Sequence, residues 1–292
     1  FEETGVVFAV GYLMVTSVHL LLFTQADIGR AMGWLAAYNL SSALLVLAGG
    51  FAHGTARYML WFAALALQMV IPYLVPRLSW MGLVSSFRIV PEHLVERHGL
   101  LVIIALGESV VAIGMGVDVE HLTAGILGAI VLALLLPGAF WWTYFSDVRA
   151  AEHTLAAVDT EQRSLMAIRA YFFAHIPLLL GIVAAAAGIH AAIAHPGDPA
   201  QWRAAVALAG GVALFLAGVG VFRRALAIGA ATSRVVAGLV VLATIPIATR
   251  ASAGLHLASV VIVVTVMLLV DAWRRAAKAA TEEGYDLRPA GG

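Results

Sequence analysis

The chain contains no cysteine, which excludes disulfides and every thiolate metal site. Charge is also scarce. Asp, Glu, Lys and Arg together make up 12% of the 292 residues, against about 25% in an ordinary soluble domain. Lysine is nearly missing, with Lys278 standing alone. Basic and acidic residues balance at 17 each, so there is no basic stripe, and no nucleic-acid partner is expected. No glycine-rich phosphate loop and no nucleophile elbow stand out. Glu152, His153, Asp159 and Glu161 fall on the 145–167 connector without the ligand spacing of a zinc helix. The expectation is therefore a protein that is not an enzyme, with no cofactor and no metal.

What the chain does contain is apolar sequence. Hydrophobic residues reach 62% and gather in runs of about 20, the length that crosses a bilayer. Nine helical spans are expected, at about 5–23, 33–52, 58–76, 99–117, 123–144, 168–193, 204–222, 233–249 and 255–273. The fold class is all-α: a polytopic transmembrane helical bundle forming one domain, 1–273, followed by a polar tail, 274–292, expected to be disordered. The chain opens FEETGVVF, without the basic start of a signal peptide, and reads as part of a longer protein.

Arginine sets the orientation. With the C-terminus in the cytoplasm, the inner segments hold Arg30, Arg77, Arg88, Arg97, Arg149, Arg163, Arg169, Arg223, Arg224, Arg234, Arg274, Arg275, Lys278 and Arg288. The outer segments hold only Arg57, Arg203 and Arg250. Such a bias places the N-terminus outside and the C-terminus inside. All seven tryptophans, at 34, 61, 80, 141, 142, 202 and 273, fall near predicted span ends, where indole prefers to sit.

Against this apolar background the polar residues carry the information. Glu108 lies in the run LLVIIALGESVVAIGM, residues 100–115. A carboxylate near the middle of a span costs roughly 2.5–3.5 kcal/mol and marks a functional site by default. Just before it, Glu92, His93, Glu96, Arg97 and His98 cluster at the start of the same helix. Arg97 and Glu108 share a helix face, about 16 Å apart along the axis, which suggests an entry path for an ion or proton. The competing reading is a solvated helix start with one structurally paired Glu.

His175, two residues before Pro177, is expected near a midplane. There it could share a proton with Glu108 if their spans touched. His19, Asn39 and Gln68 are further intramembrane polar groups, whereas His190 and His256 are expected to be wet. Pro72, Pro137, Pro177 and Pro246 mark kinks. Gly107 with Gly114, and Gly210, Gly211 and Gly218, are expected to allow close helix approach.

The stretch His93–Val111, HLVERHGLLVIIALGESVV, resembles the signature of the bacterial low temperature requirement protein A family, written E-R-x-G-L-x-x-I-I-x-L-G-E. Glu96, Arg97, Gly99, Leu100, Ile103, Ile104, Leu106, Gly107 and Glu108 fill that pattern. Arg57, Tyr58 and Trp61 with Pro72 are similar to the family's preceding span, and Phe140–Asp147 and His175–Gly181 to the following ones. The family's usual first span, of the form E-L-F-F-D-L-V-F, is not found, and about three N-terminal spans are lacking by this comparison. Gln68 stands where some relatives carry an acid. The resemblance implies a role in cold or stress tolerance.

The expected function is transport or ion or proton permeation in a bacterial inner membrane. The candidate binding residues are Glu108, His175, Glu96, Arg97 and Gln68, and the bilayer and a small ion, proton or small molecule are the partners. The alternative is a non-transporting membrane scaffold that binds lipids or proteins during stress adaptation.

Overall fold

The computed structural model describes residues 4–24, 29–74, 89–117 and 122–286, and all regular structure among them is helical. Arg77, Trp80, Arg88 and Arg288 lie outside the described residues, as do the side chains of Arg30, Trp34, Pro72 and Lys278. The chain divides into two compact units, Phe1–Ile89 with Asp159–Leu165, and Val90–Val158 with Met166–Gly292.

The first unit holds α1 (Thr4–Thr24), α2 (Gly29–Phe51) and α3 (Gly54–Leu74), together with most of α7 (Thr160–Ala167). Consecutive helices pack on one another, α1 on α2 and α2 on α3. The turn between α2 and α3 depends on Gly54, whose φ of +58° lies in the left-handed region. Arg57 closes that turn by donating from Nε to the Ala52 carbonyl at 2.9 Å. Trp61 is partly buried, with its indole N–H given to the Val46 carbonyl at 3.2 Å.

The second unit holds α4 (Pro91–Gly116), α5 (Ala124–Phe145), α6 (Val148–Ala157), a π-helical turn (Ile168–Phe173), α8 (His175–Ala194), α9 (Trp202–Ala225), α10 (Thr232–Ala243), α11 (Ile245–Arg250) and α12 (Ala253–Asp286). Local sequence sets the starts and breaks. Pro91 opens α4 at a position where its missing N–H costs nothing. Thr123 caps α5 by accepting from the Ile126 amide at 3.2 Å. Pro246 cannot continue the ladder of α10, and the chain restarts there as α11.

Among the described residues, seven helical stretches are long and apolar enough to cross a membrane: Thr4–Leu22, Pro91–Gly116, Ala124–Ala157, Thr160–Ala194, Trp202–Ala225, Thr232–Arg250 and Ala253–Ala277. The expected spans 33–52 and 58–76 are helices too, α2 and α3, but the apolar part of α2 is the shorter Ala36–Phe51. Trp141, Trp142 and Trp202 stand exposed near helix ends, and Trp273 is exposed near the end of the apolar stretch Ala253–Ala277, as headgroup-level indoles are. The expected loose tail is helical as far as Asp286. Its first part, WRRAAKAATEE, is built from alanines and long straight side chains that favour helix.

The centre of the second unit is the seam between α8 and α9, the most extensively packed helix pair. In lipid, helices gain nothing from hiding apolar surface, so association rests on close packing. Gly181 and Gly211 make that closeness available. A Cβ on Gly181 would stand 2.6 Å from the Gly211 carbonyl, and one on Gly211 would stand 2.8 Å from the Gly181 carbonyl. Gly188 against Leu208, and Gly218 against Leu178, extend the seam. Leu178, Ile182, Val212 and Phe215 fill the adjoining core without exposure.

The expectation for Gly211 and Gly218 thus holds. Gly107 and Gly114 differ, because a Cβ at either would meet nothing within 4 Å. Their face of α4 is not the one that packs. That role belongs to Val95, Gly99, Val102, Leu106, Ile113 and Gly116. Gly210 is likewise open, with Val206 at 3.8 Å its nearest neighbour.

Gly211→Ala should therefore lower the melting temperature in detergent, overpacking being worth about 1–3 kcal/mol, while Gly107→Ala melts like the parent. Equal melting of the two variants would contradict the seam.

Candidate functional site

The π-helical turn before α8 positions the most elaborate polar group in the second unit. Its last backbone bond runs from the Ala174 amide to the Arg169 carbonyl at 3.2 Å. That long step passes over the carbonyl of Ala170. The ring of His175, the first residue of α8, takes it instead, with Nδ1 at 2.8 Å. A carbonyl can only accept, so Nδ1 carries the proton and Nε2 of the neutral ring is an acceptor. Tyr144, at the end of α5, donates its hydroxyl to that Nε2 at 3.0 Å. His175 and Tyr144 are 2% and 1% exposed, so both depend on this bond for satisfaction.

A second histidine faces the first. His98 on α4 donates from Nδ1 to the Leu94 carbonyl at 2.8 Å, one turn back. Its ring centroid is 5.0 Å from that of His175. Tyr171, within the π-helical turn, stacks on His175 at 5.1 Å and meets His98 edge-on at 4.8 Å. Phe222 of α9 covers His175 and Tyr171. The Tyr171 hydroxyl is buried and has no hydrogen-bond partner among the described residues. The four polar rings thus form one enclosed cluster with two acceptor nitrogens, two hydroxyls and no fixed charge.

Ion pairs lie beside the same helix ends. Asp147, which follows α5, sits 3.4 Å from Arg223 in the last turn of α9. Arg234 in the first turn of α10 is 1% exposed. It pairs with Asp271 of α12 and donates to the Ser233 hydroxyl at 2.9 Å. Burying such a pair is costly unless the geometry is good, and removing one partner costs more still.

The structure separates the residues expected from sequence. Glu108 lies on an exposed face of α4. Arg97 lies on that face too, and Glu96 is exposed further round the helix, 4.0 Å from His93. Gln68 belongs to the first unit, where its amide donates to Asn39 at 3.1 Å. His175 is buried as an intramembrane group should be, but its neighbour on α4 is His98, not Glu108. Glu108 is ten residues further along, about 15 Å by helical rise. The cause is the π-helical turn and the early start of α4 at Pro91, which together place His175 at a helix entry, level with the first turns of α4. His190 is exposed as expected, but His256 is 1% exposed and not wet. Tyr144 and Tyr171 were not legible as site residues. A tyrosine near a span end reads as an interface anchor.

A bundle of apolar helices around a buried polar centre defines a multi-pass α-helical membrane protein. The chain belongs to the bacterial low temperature requirement A protein family, whose profile matches residues 1–270. It is 32% identical over 232 residues to the uncharacterized protein RA0937 of Rhizobium meliloti (strain 1021), covering 75% of this chain and 55% of that protein. The chain thus spans about half the length of the curated relative it matches. No solved structure matches it.

Replacing Asp271 with Ala should lower stability by about 3–5 kcal/mol by stranding the Arg234 charge. The double replacement Arg234→Met with Asp271→Leu should recover most of that loss. Thermal melts in detergent check both, and a parent-like melt for Asp271→Ala would contradict a stabilising role for the pair.

Proposed function

We propose that this is a multi-pass protein of the bacterial inner membrane that passes protons or a small ion, with its arginine-rich helix ends in the cytoplasm. The observation that carries this reading is the hydrogen-bonded pair of Tyr144 and His175 with His98 5.0 Å away by ring centroids. Uncharged imidazoles can sit inside a span at moderate cost and still accept a proton. A proton arriving at Nε2 of His175 requires the Tyr144 hydroxyl to turn away. The new Nε2–H then donates to the Tyr144 oxygen, freeing the phenolic O–H for an onward partner. His98 offers its own Nε2 as a second station.

Glu108, on the open face of α4, is a further carboxylate in the same span, reached past Glu96 and Arg97. Tolerance of cold or stress would follow from control of that permeation. Catalysis has no part in this reading. The π-helical turn supports it, since such turns recur at functional sites, and here the turn supplies the carbonyl that fixes the ring.

Reconstitution in vesicles containing a pH-sensitive dye tests the proposal. His175→Gln keeps a hydrogen-bonding side chain of similar size but removes the titration. It should fold like the parent and lose most of the proton flux. Glu108→Gln should reduce flux as well. Parent-level flux in a folded His175→Gln protein would refute the reading and favour a structural tie, as in the scaffold alternative.

A further inference from the structure

Arginines at the end of α9, at the start of α10 and within α12 bring together more positive charge than the ion pairs consume. A cavity of about 290 Å³ there is lined by Arg223, Ser233, Arg234, Asp271, Arg274 and Arg275. Asp271 is committed to Arg234, and Asp147 lies against Arg223. Arg274 and Arg275 remain exposed at the rim. Arg223 and Arg234, which line the cavity, each carry a buried Nε that has no hydrogen-bond partner among the described residues. A buried guanidinium N–H without an acceptor is costly, and two in one basic cavity call for an anion.

A second cavity adjoins the first. Ser233 and Arg274 also line this one, of about 350 Å³ and otherwise almost wholly apolar, between α10 and α12. Its walls include Val236, Val240, Ile262 and Val266, all about half exposed. From Arg274 to Ile262 the groove follows α12 for about 18 Å at the usual rise. One leaflet of a bilayer core is about 15 Å deep. A soluble phosphate would use the basic cavity and leave the groove empty. A neutral lipid would use the groove and leave the arginines unanswered.

We infer that this site holds an anionic phospholipid, its phosphate among Arg223, Arg234, Arg274 and Arg275 and one acyl chain along the groove between α10 and α12. Basic pockets between helices at the cytoplasmic face are suited to such headgroups. Guanidinium suits phosphate because its fork of donors matches the oxygens. The bound lipid would bridge α10 and α12 at the end where Arg234 and Asp271 already join them. This inference rests on the charge and shape of the second unit alone and stands whether or not the protein passes protons.

Native mass spectrometry of the detergent-purified protein tests it. The probes are dioleoyl phosphatidylglycerol, dioleoyl phosphatidylcholine and glycerol 3-phosphate. The parent should retain phosphatidylglycerol about fivefold more than phosphatidylcholine, and glycerol 3-phosphate should not displace it. Because Arg274 and Arg275 are exposed, Arg274→Gln with Arg275→Gln should fold and bring the ratio near one. Val266→Trp should block the groove and lower phosphatidylglycerol retention without changing the charge. Arg203→Gln with Arg250→Gln should change nothing. Equal retention of the two lipids, an unchanged ratio in the Arg274/Arg275 variant, full retention in Val266→Trp, or displacement by glycerol 3-phosphate would each overturn the assignment, the last by giving the cavity to a soluble anion.

Discussion

Everything in the second unit depends on how closely α8 approaches α9. Lipid surrounds a membrane helix with material as apolar as its own leucines, so helices hold together by contact and not by escape from water. Gly181 and Gly211 face each other with no room for a Cβ on either. That seam fixes the axial register of the two helices. Phe222 near the end of α9 thereby comes over His175 at the start of α8, and Arg223 beside it reaches Asp147.

Given the seam, the polar groups follow from backbone bookkeeping. The π-helical turn leaves one carbonyl unclaimed and His175 claims it. The ring is then oriented with its acceptor nitrogen toward α5, and Tyr144 completes it. A histidine in this position is uncharged, fully bonded and enclosed by aromatic rings, so it adds little to the cost of burial while keeping one exchangeable proton site. The arginines are handled differently. Arg234 is neutralised by Asp271 within the bundle, whereas Arg274 and Arg275 stay at the rim where water and lipid headgroups can meet them.

Much of this architecture was legible in the sequence. Apolar runs of bilayer length located the helices, because hydropathy averages over about 20 residues and tolerates local error. The buried histidine at 175 was visible as a polar residue in an apolar run. Its partners were not, because contacts between spans depend on helix rotation and register. The π-helical turn added an axial offset that no periodicity in IRAYFF announces. Glu108 drew attention by its chemistry, yet its direction on α4 follows from which side carries Val102, Leu106 and Ile113. The glycines illustrate the same point: Gly107 and Gly114 share a face as Gly211 and Gly218 do, but only the latter pair meets a neighbouring backbone.

The central claim is that His175 is held as a neutral, proton-accepting ring by Ala170 and Tyr144. Nitrogen-15 NMR of histidine-labelled protein in lipid nanodiscs reads this directly. The account predicts a His175 signal of the Nδ1–H tautomer at neutral pH, with Nε2 hydrogen-bonded and gaining a proton on acidification while the bundle stays folded. An Nε2–H tautomer, or a His175 that keeps one proton until the protein unfolds, would contradict it.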